Sequence, residues 1–310
     1  MLHRRSPFAA LALVVLAGCS STTIGATDET DLQTEVTPPA SDDATTSVAT
    51  TEDIVSDTTV AITEPPTTTA PPTTTLPPPP VTLPERDIPV IAPMAEPLVA
   101  VGTSNGDATA RAQWRLLELG FWLRDPNGRY EQTTQQAVMA FQKYAGLEAD
   151  GSLGPITASA LSPSDARPSG TSTGGTLVEV DKTKQLVFFV ENGVTKWILN
   201  TSTGTEVPYD TINKNTGAPE SGDSVTRPGV FDVNRQREEG WWAGDLGEIY
   251  RPKYFDGGIA LHGSNYIPNY PASHGCVRLS TAAMDWIWET DLVPMGTTVW
   301  VHGQIPGASA

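Results

Sequence analysis

Apolar residues recur at helical spacing in two stretches between residues 107 and 146. Ala112, Leu116 and Leu119 fall on one face of a run that Asp107 can cap and Gly120 can end, which predicts a helix over 108–119. Ala137, Val138 and Phe141 repeat the spacing ahead of Gly146, predicting a second helix that starts at Thr133 or Thr134. Two turn signals echo each other: Asn127-Gly128-Arg129-Tyr130 precedes Thr134, and Asp150-Gly151-Ser152-Leu153 precedes Thr157, each a turn leading into a helix. Beyond the Ser/Gly/Pro stretch 162–175 the pattern changes. Residues 176–180 and 185–190 read as strands, Asn192-Gly193 as a hairpin turn, and 194–200 as the returning strand. Further strands are predicted at 229–233, 258–262 and 297–302. One helix interrupts them at 281–289, capped by Ser280 and burying Ala283, Trp286 and Ile287. The expected architecture is two domains: a small all-α bundle of three helices over 107–162, folding by itself, and a mostly antiparallel β domain with one principal helix over 175–303. Trp241, Trp242, Trp286, Trp288 and Trp300 are expected in its core or as cleft wall.

Composition separates a third region. Residues 20–98 contain no aromatic side chain and hold thirteen acids against one base, Arg86, so twelve of the seventeen net negative charges lie there. Thr and Pro dominate, as in the run from Thr67 to Pro80. Such a segment cannot bury enough apolar surface to offset its ordering entropy, so 19–98 is expected to be a disordered tether. At roughly 3.1 Å per residue in polyproline II form it could reach on the order of 200 Å. The acidity argues against nucleic acid as a partner, for which a basic face is needed.

The N-terminus carries Arg4 and Arg5, an apolar run from Phe8 to Ala17, and then Gly18-Cys19. The run is too short to span a bilayer and is followed by small residues at a cleavage point. The pattern resembles a bacterial lipoprotein signal, with 1–18 removed and Cys19 lipid-modified. The expectation is an exported protein anchored by lipid at the outer face of the cytoplasmic membrane. Cys276 is then left without a disulfide partner, an unpaired thiol in an exported chain.

That thiol sits in Ser273-His274-Gly275-Cys276-Val277-Arg278-Leu279, shortly after Leu261-His262-Gly263. Two of the four histidines and one of the two cysteines fall within fifteen consecutive positions. A free cysteine has a pKa of about 8.5 and is mostly thiol at neutral pH. A neighbouring imidazole can take its proton during attack, or hold it as a thiolate–imidazolium pair. Gly275 allows a tight turn that brings backbone N–H groups toward an oxyanion.

Two family resemblances cover these regions. Gln113, Leu116, Gly120, Ala137, Val138, Phe141, Gln142, Gly146, Leu147, Asp150, Gly151, Gly154, Pro155, Thr157 and Leu161 resemble the peptidoglycan-binding type 1 domain. The His-Gly and Ser-His-Gly-Cys-Val-Arg-Leu segments resemble YkuD-type L,D-transpeptidases, with support from Ser202-Thr203-Gly204, Gly229-Val230-Phe231 and Gly296-Thr297. The gap from His262 to Ser273 is shorter than usual in that family. Its Thr-Pro-x-Gly segment stands here as Thr226-Arg227-Pro228-Gly229, with proline displaced by one.

The resemblance implies a YkuD-like β-sandwich and acyl transfer on peptidoglycan stems. Cys276 attacks the L-centre carbonyl of a diamino acid at stem position three, expelling D-Ala, and a second stem's amine takes the thioester to give a 3→3 cross-link. Water as acceptor makes the enzyme an L,D-carboxypeptidase, and a free D-amino acid makes it an exchange enzyme. By family position His262 is the general base, oriented through the Gly263 carbonyl. His274, Gly275 and Cys276 line the nucleophile loop and supply oxyanion N–H groups. Arg278 is either a structural ion pair or a contact for a substrate carboxylate, and Tyr254 and Ser273 are candidates for the cleft. Carbapenems acylate similar enzymes. No cofactor or metal is implied, and the partners are stem peptides and glycan. A sortase would place its cysteine in a Thr-Leu-x-Thr-Cys strand, which is absent. Zinc held by His262, His274 and Cys276 lacks a ligand frame. A non-catalytic wall-binding lipoprotein would not need the intact His262 and Cys276.

Overall fold

The computed structural model describes residues 91–307. The signal segment, Cys19 and the tether up to residue 90 lie outside the described residues.

Three helices come first: α1 (Asp107–Glu118), α2 (Gln132–Tyr144) and α3 (Pro155–Leu161). Asp107 is the first helical residue of α1 rather than its cap. Gly106 takes the cap position, held by its N–H donating to Gly128 O at 2.8 Å. α2 begins just before Thr133 and Thr134, which are buried inside it. The two turn signals share one hydrogen-bond device. Buried Gln113 accepts from Gly128 N (2.7 Å) and donates to Arg129 O (2.8 Å) and Thr134 Oγ1 (2.7 Å). Buried Gln142 accepts from Gly151 N (2.8 Å) and donates to Ser152 O (3.1 Å) and Thr157 Oγ1 (3.0 Å). A buried amide satisfied on both its oxygen and its nitrogen fixes each turn to the helix before it.

The end of the tether is ordered, which corrects its expected disorder through residue 98. Leu98 is buried and its N–H donates to Ser162 Oγ (2.9 Å), while Met94 N donates to Ser162 O (3.1 Å). The Arg115 guanidinium, 2% exposed, donates to Ala92 O (3.1 Å) and Ser164 O and pairs with Glu118 at 2.8 Å. Composition hid this, because the contacts are backbone carbonyls, which any sequence offers.

The β domain follows with β1 (Leu177–Asp181), β2 (Leu186–Glu191), β3 (Val194–Asn200), β4 (Tyr209–Ile212), β5 (Pro219–Gly222), β6 (Gly229–Asp232), β7 (Arg235–Gln236), β8 (Trp241–Gly244), β9 (Gly247–Asp256), β10 (Ile259–Ser264), β11 (Val277–Ser280), α4 (Thr281–Glu289) and β12 (Thr298–His302). One sheet runs β3-β2-β1-β12-β6, and the other runs β11-β10-β9-β7 with β8 also on β9. β4 and β5 form a separate hairpin. Pairing is antiparallel except for β1 with β12 and β10 with β11. The sheets enclose a core of Val178, Val187, Phe189, Phe255, Leu261, Val277, Leu279 and Val299, to which α4 adds Ala283, Met284 and Ile287. Ser280 Oγ caps α4 by accepting from Ala283 N at 3.1 Å. Trp286 packs half-buried against Trp122, with ring centroids 5.0 Å apart. Strand β9 escapes the sequence pattern because Pro252 and Arg251 (φ 47) interrupt its alternation.

The helical region does not stand apart. Its core of Leu116, Leu119, Phe121, Val138 and Phe141 is continuous with Leu186, Phe188, Val190 and Ile198 of β2 and β3. Phe121 lies on Ile198 in a parallel bridge, Ile198 N donates to Gly120 O (2.8 Å), and Trp122 N donates to Ile198 O (3.1 Å). The three-helix bundle is as expected, and its apolar centre also packs on the outer face of the sheet, so the two domains share one continuous core.

Candidate active site

β10 carries His262 and Gly263, and β11 lies parallel beside it with His262 opposite Arg278 and Leu261 opposite Val277. β10 runs two residues beyond its expected end, so His262 is held inside a strand. Cys276 immediately precedes β11. His262, Ser273, His274, Cys276, Arg278 and Tyr254 all line one cleft of about 510 Å³. Gly263 and Gly275, neighbours of His262 and Cys276, are not among its lining residues.

The chain after β3 fixes the nucleophile loop. Ala272 N and Ser273 N donate to Thr203 O (both 3.0 Å), Thr205 N donates to Ser273 O (3.0 Å), and Thr201 Oγ1 donates to Arg278 O (2.8 Å). Gly204 is needed because a Cβ there would sit 1.9 Å from Ser224 O. Buried Ser273 staples the loop internally: its hydroxyl donates to Cys276 O (2.5 Å) and accepts from Gly275 N (3.1 Å). Gly275 has φ +125, and a Cβ would meet Ile259 Cδ1 at 2.6 Å and Val225 O at 3.0 Å. Its N–H donates to Ser273 Oγ at 3.1 Å, whereas the His274 and Cys276 N–H groups are the loop's other candidates for an oxyanion. Thr226, read from sequence only as part of a displaced motif, is fully buried. Its hydroxyl donates to Gly275 O (2.6 Å) and accepts from Gly204 N (2.9 Å), tying the two glycine segments together.

The two histidines differ sharply. His262 is 4% exposed and its Nδ1 lies 2.8 Å from Gly263 O. A carbonyl only accepts, so Nδ1 carries the proton and Nε2 is the basic nitrogen. Burial drives its pKa down to about 4, with the Arg278 charge adding to the shift, so the ring is neutral at physiological pH. His274 is exposed and stands edge-on to Tyr209, with centroids 4.7 Å apart. Burial pushes the Cys276 thiol up, against an Ala260 backbone contact and Arg278, which favour the thiolate. Both shifts favour the neutral forms, thiol and imidazole. The Cys276 thiol points toward Gly258 O at 3.8 Å.

Arg278 forms no salt bridge among the described residues, and burial lowers its pKa. Of the two readings open for it, the ion pair is absent. The sequence pattern also missed Arg235 and Arg237, which reach the cleft from and just after a strand too short for any periodicity. Their guanidinium groups lie over Tyr254 (3.8 Å) and Trp242 (3.6 Å). Tyr254 is thereby part of the floor, 6% exposed beneath Arg235. Trp242 is cleft wall, whereas Trp241 lies outside the cleft against Tyr250 (5.2 Å). His302, outside the cleft, pairs with buried Glu179 at 2.8 Å.

The helical region reaches this site. From α2, Gln136 Nε2 donates to Ile267 O (3.3 Å) and Gln132 Nε2 to Asn265 O (3.5 Å). Asn269 Nδ2 donates to Ala149 O (2.9 Å). The loop between His262 and Ser273 is thus held by α2 as well as by its own contacts, such as Tyr266 N donating to Ser264 Oγ at 3.1 Å.

Comparison with known proteins agrees with this geometry. Residues 175–301 match the YkuD model, an L,D-transpeptidase catalytic domain, and residues 105–161 match a peptidoglycan binding domain. The crystal structure of an L,D-transpeptidase from Xylanimonas cellulosilytica is 40% identical, covering 71% of this chain and 99% of that one, with a TM-score of 0.58. Two N-acetylmuramoyl-L-alanine amidases of Bacillus licheniformis are similar over shorter stretches. One is 40% identical over 75 residues, 24% of this chain and 21% of the amidase. The other is 39% identical over 74 residues, 23% and 21% of the two chains. The chain spans about a fifth of the length of these curated relatives. It belongs to the YkuD family of L,D-transpeptidases, with a peptidoglycan-binding domain packed ahead of its catalytic domain.

Proposed function

We propose that Cys276 is the nucleophile and His262 the general base of a peptidoglycan acyl transfer that forms 3→3 cross-links. The observation that carries this reading is the His262 Nδ1 contact to Gly263 O, which leaves Nε2 as a proton acceptor in the cleft that also holds the thiol. As sulfur attacks the L-centre carbonyl of the diamino acid, the thiol proton passes to His262 Nε2. Collapse of the tetrahedral intermediate breaks the bond to D-Ala, and the leaving amine takes that proton. The side-chain amine of a second stem then attacks the thioester. It yields its proton through His262, and the thiol is restored. The N–H groups of His274 and Cys276 face the oxyanion, and Arg278, which has no acidic partner among the described residues, receives a substrate carboxylate. Neutral partners suit this chemistry, since a neutral imidazole is available at any pH well above 4.

Peptidoglycan is the partner of both domains, and we place the chain outside the cytoplasmic membrane, held by lipid on Cys19 through the acidic tether. Incubation with disaccharide-tetrapeptide and mass spectrometry of the products tests the reaction. A cross-linked dimer supports transfer to a stem, and released tripeptide alone would replace it with hydrolysis. Cys19→Ala should leave the membrane fraction, and its retention there in detergent-free high salt would remove the lipid anchor.

A further inference from the structure

Two tyrosines on the loop between His262 and Ser273 have no part in the acyl transfer. Tyr266 is 56% exposed and Tyr270 is 52% exposed, yet their hydroxyls lie 2.6 Å apart. The loop beneath them is fixed at several points. Ser264 Oγ accepts from Tyr266 N (3.1 Å), Ser202 Oγ donates to Tyr270 O (2.8 Å), and Ile267 between them is buried at 4% exposure. The contacts from Gln132, Gln136 and Ala149 hold the same loop from the helical side. Two large rings are thus presented to solvent in one rigid arrangement, joined through their polar tips.

The pair lies between two residues that line the cleft. Ser264, two residues before Tyr266, lines it, and Ser273, three residues after Tyr270, lines it again. The Arg278 charge acts on the Tyr266 hydroxyl. The rings therefore stand close to the cleft, on the loop that α2 of the peptidoglycan-binding domain holds. A stem peptide seated in the cleft is covalently attached to glycan, so a sugar lies within a few residues' reach of the reacting centre. A pyranose offers an apolar C–H face to a ring and hydroxyls to a phenol. Tyrosine supplies both surfaces at low entropic cost, because only two torsions need to be fixed.

Resting on the acyl-transfer reading above, we propose that Tyr266 and Tyr270 form a saccharide platform that binds the glycan portion of the donor substrate. The platform selects stems still attached to sugar over free peptides. It is fed by the same loop that separates base from nucleophile, so sugar binding and cleft geometry are held by one set of hydrogen bonds.

The test compares kcat/KM for disaccharide-tetrapeptide and for the sugar-free tetrapeptide, in the full chain and in a Tyr266→Ser, Tyr270→Ser double variant. A tenfold preference corresponds to about 1.4 kcal/mol. The full chain should favour the sugar-bearing substrate by about tenfold, mainly through KM, and the double variant should bring that ratio close to one. A ratio left unaltered by the double variant overturns the platform, as does a full chain with no preference. If the full chain turns over neither substrate, the acyl-transfer reading fails. Binding of the disaccharide-tetrapeptide to Cys276→Ala, with and without the two tyrosine changes, then decides the platform separately. A weaker Kd without the tyrosines upholds it, and an equal Kd overturns it.

Discussion

Gln136 joins the peptidoglycan-binding domain to the loop that separates His262 from the nucleophile segment. Its amide donates to Ile267 O at 3.3 Å and accepts from Asn200 Nδ2 at 2.7 Å, so one side chain of α2 holds both the end of β3 and the active-site loop. Lys143 adds a second tie from the same helix, donating to Gln185 O (3.3 Å) and Thr201 O (3.1 Å). The binding domain is thus tied by hydrogen bonds to the segments that frame the candidate site.

The shared core makes a direct prediction. Phe121 is fully buried, stands edge-on to Phe141 at 5.5 Å and bridges to Ile198. Phe121→Ala should cost about 3–5 kcal/mol. Residues 91–307 should melt in one transition, lowered as a whole by the substitution. Two separate calorimetric transitions, with only one of them shifted, would show that the domains fold apart.

The histidines should separate in a carbapenem acylation assay. A general base contributes about 10²–10⁴ in rate, and only His262 is buried with its tautomer fixed. His262→Ala should be nearly as inert as Cys276→Ala, whereas His274→Ala, which loses an exposed ring against Tyr209, should retain most acylation. Intact-protein mass spectrometry over time reads the acyl-enzyme directly. Fast acylation of the His262 variant beside an inert His274 variant would reverse the roles.

His262 also sets a pH dependence. Its folded pKa of about 4 lies below the unfolded value of about 6.5. The unfolded chain therefore takes up the proton first as pH falls, and stability rises with pH across this window. The contribution is complete above about pH 6.5 and is lost as pH falls from there through about 4. Acylation should show no inflection near 6.5, because the folded imidazole remains unprotonated well below it. A rate profile with its midpoint at an ordinary imidazole pKa would contradict the buried neutral base. Melting temperatures of the protein and of His262→Gln across the same range test the stability arm, and the variant should lose less on acidification.

Thr226→Val keeps shape and removes one hydroxyl. The Gly275 carbonyl and the Gly204 N–H both lose their buried partner, at about 1–3 kcal/mol for an unsatisfied buried group. Acylation should slow more than the melting temperature alone explains, since the loop that carries Cys276 is released, and Thr226→Ser should restore most of the rate. Equal behaviour of the Val and Ser variants would remove the hydroxyl from the argument.

The chain pattern by itself determined the short-range features. Helical spacing marked α1 and α2, Asn192-Gly193 marked the β2–β3 hairpin, Ser280 marked the start of α4, and the Ser-His-Gly-Cys segment marked the proposed nucleophile. These are set by contacts a few residues apart, so they leave a local signature. Strands β4, β5, β7, β8 and β9 left almost none, because short exposed pairs and a strand interrupted by Pro252 have no clean alternation. Only the tertiary structure decided that Arg235 and Arg237 enter the cleft, that Arg278 stands without an acidic partner, that Ser273 occupies the Gly275 N–H, and that α2 grips the active-site loop. The cleft arginines and the grip of α2 join segments far apart in the chain, through backbone carbonyls or stacked rings that any sequence can supply, and the Ser273–Gly275 contact depends on a side-chain rotamer and a loop turn that the residue types do not specify, so folding is what decides them.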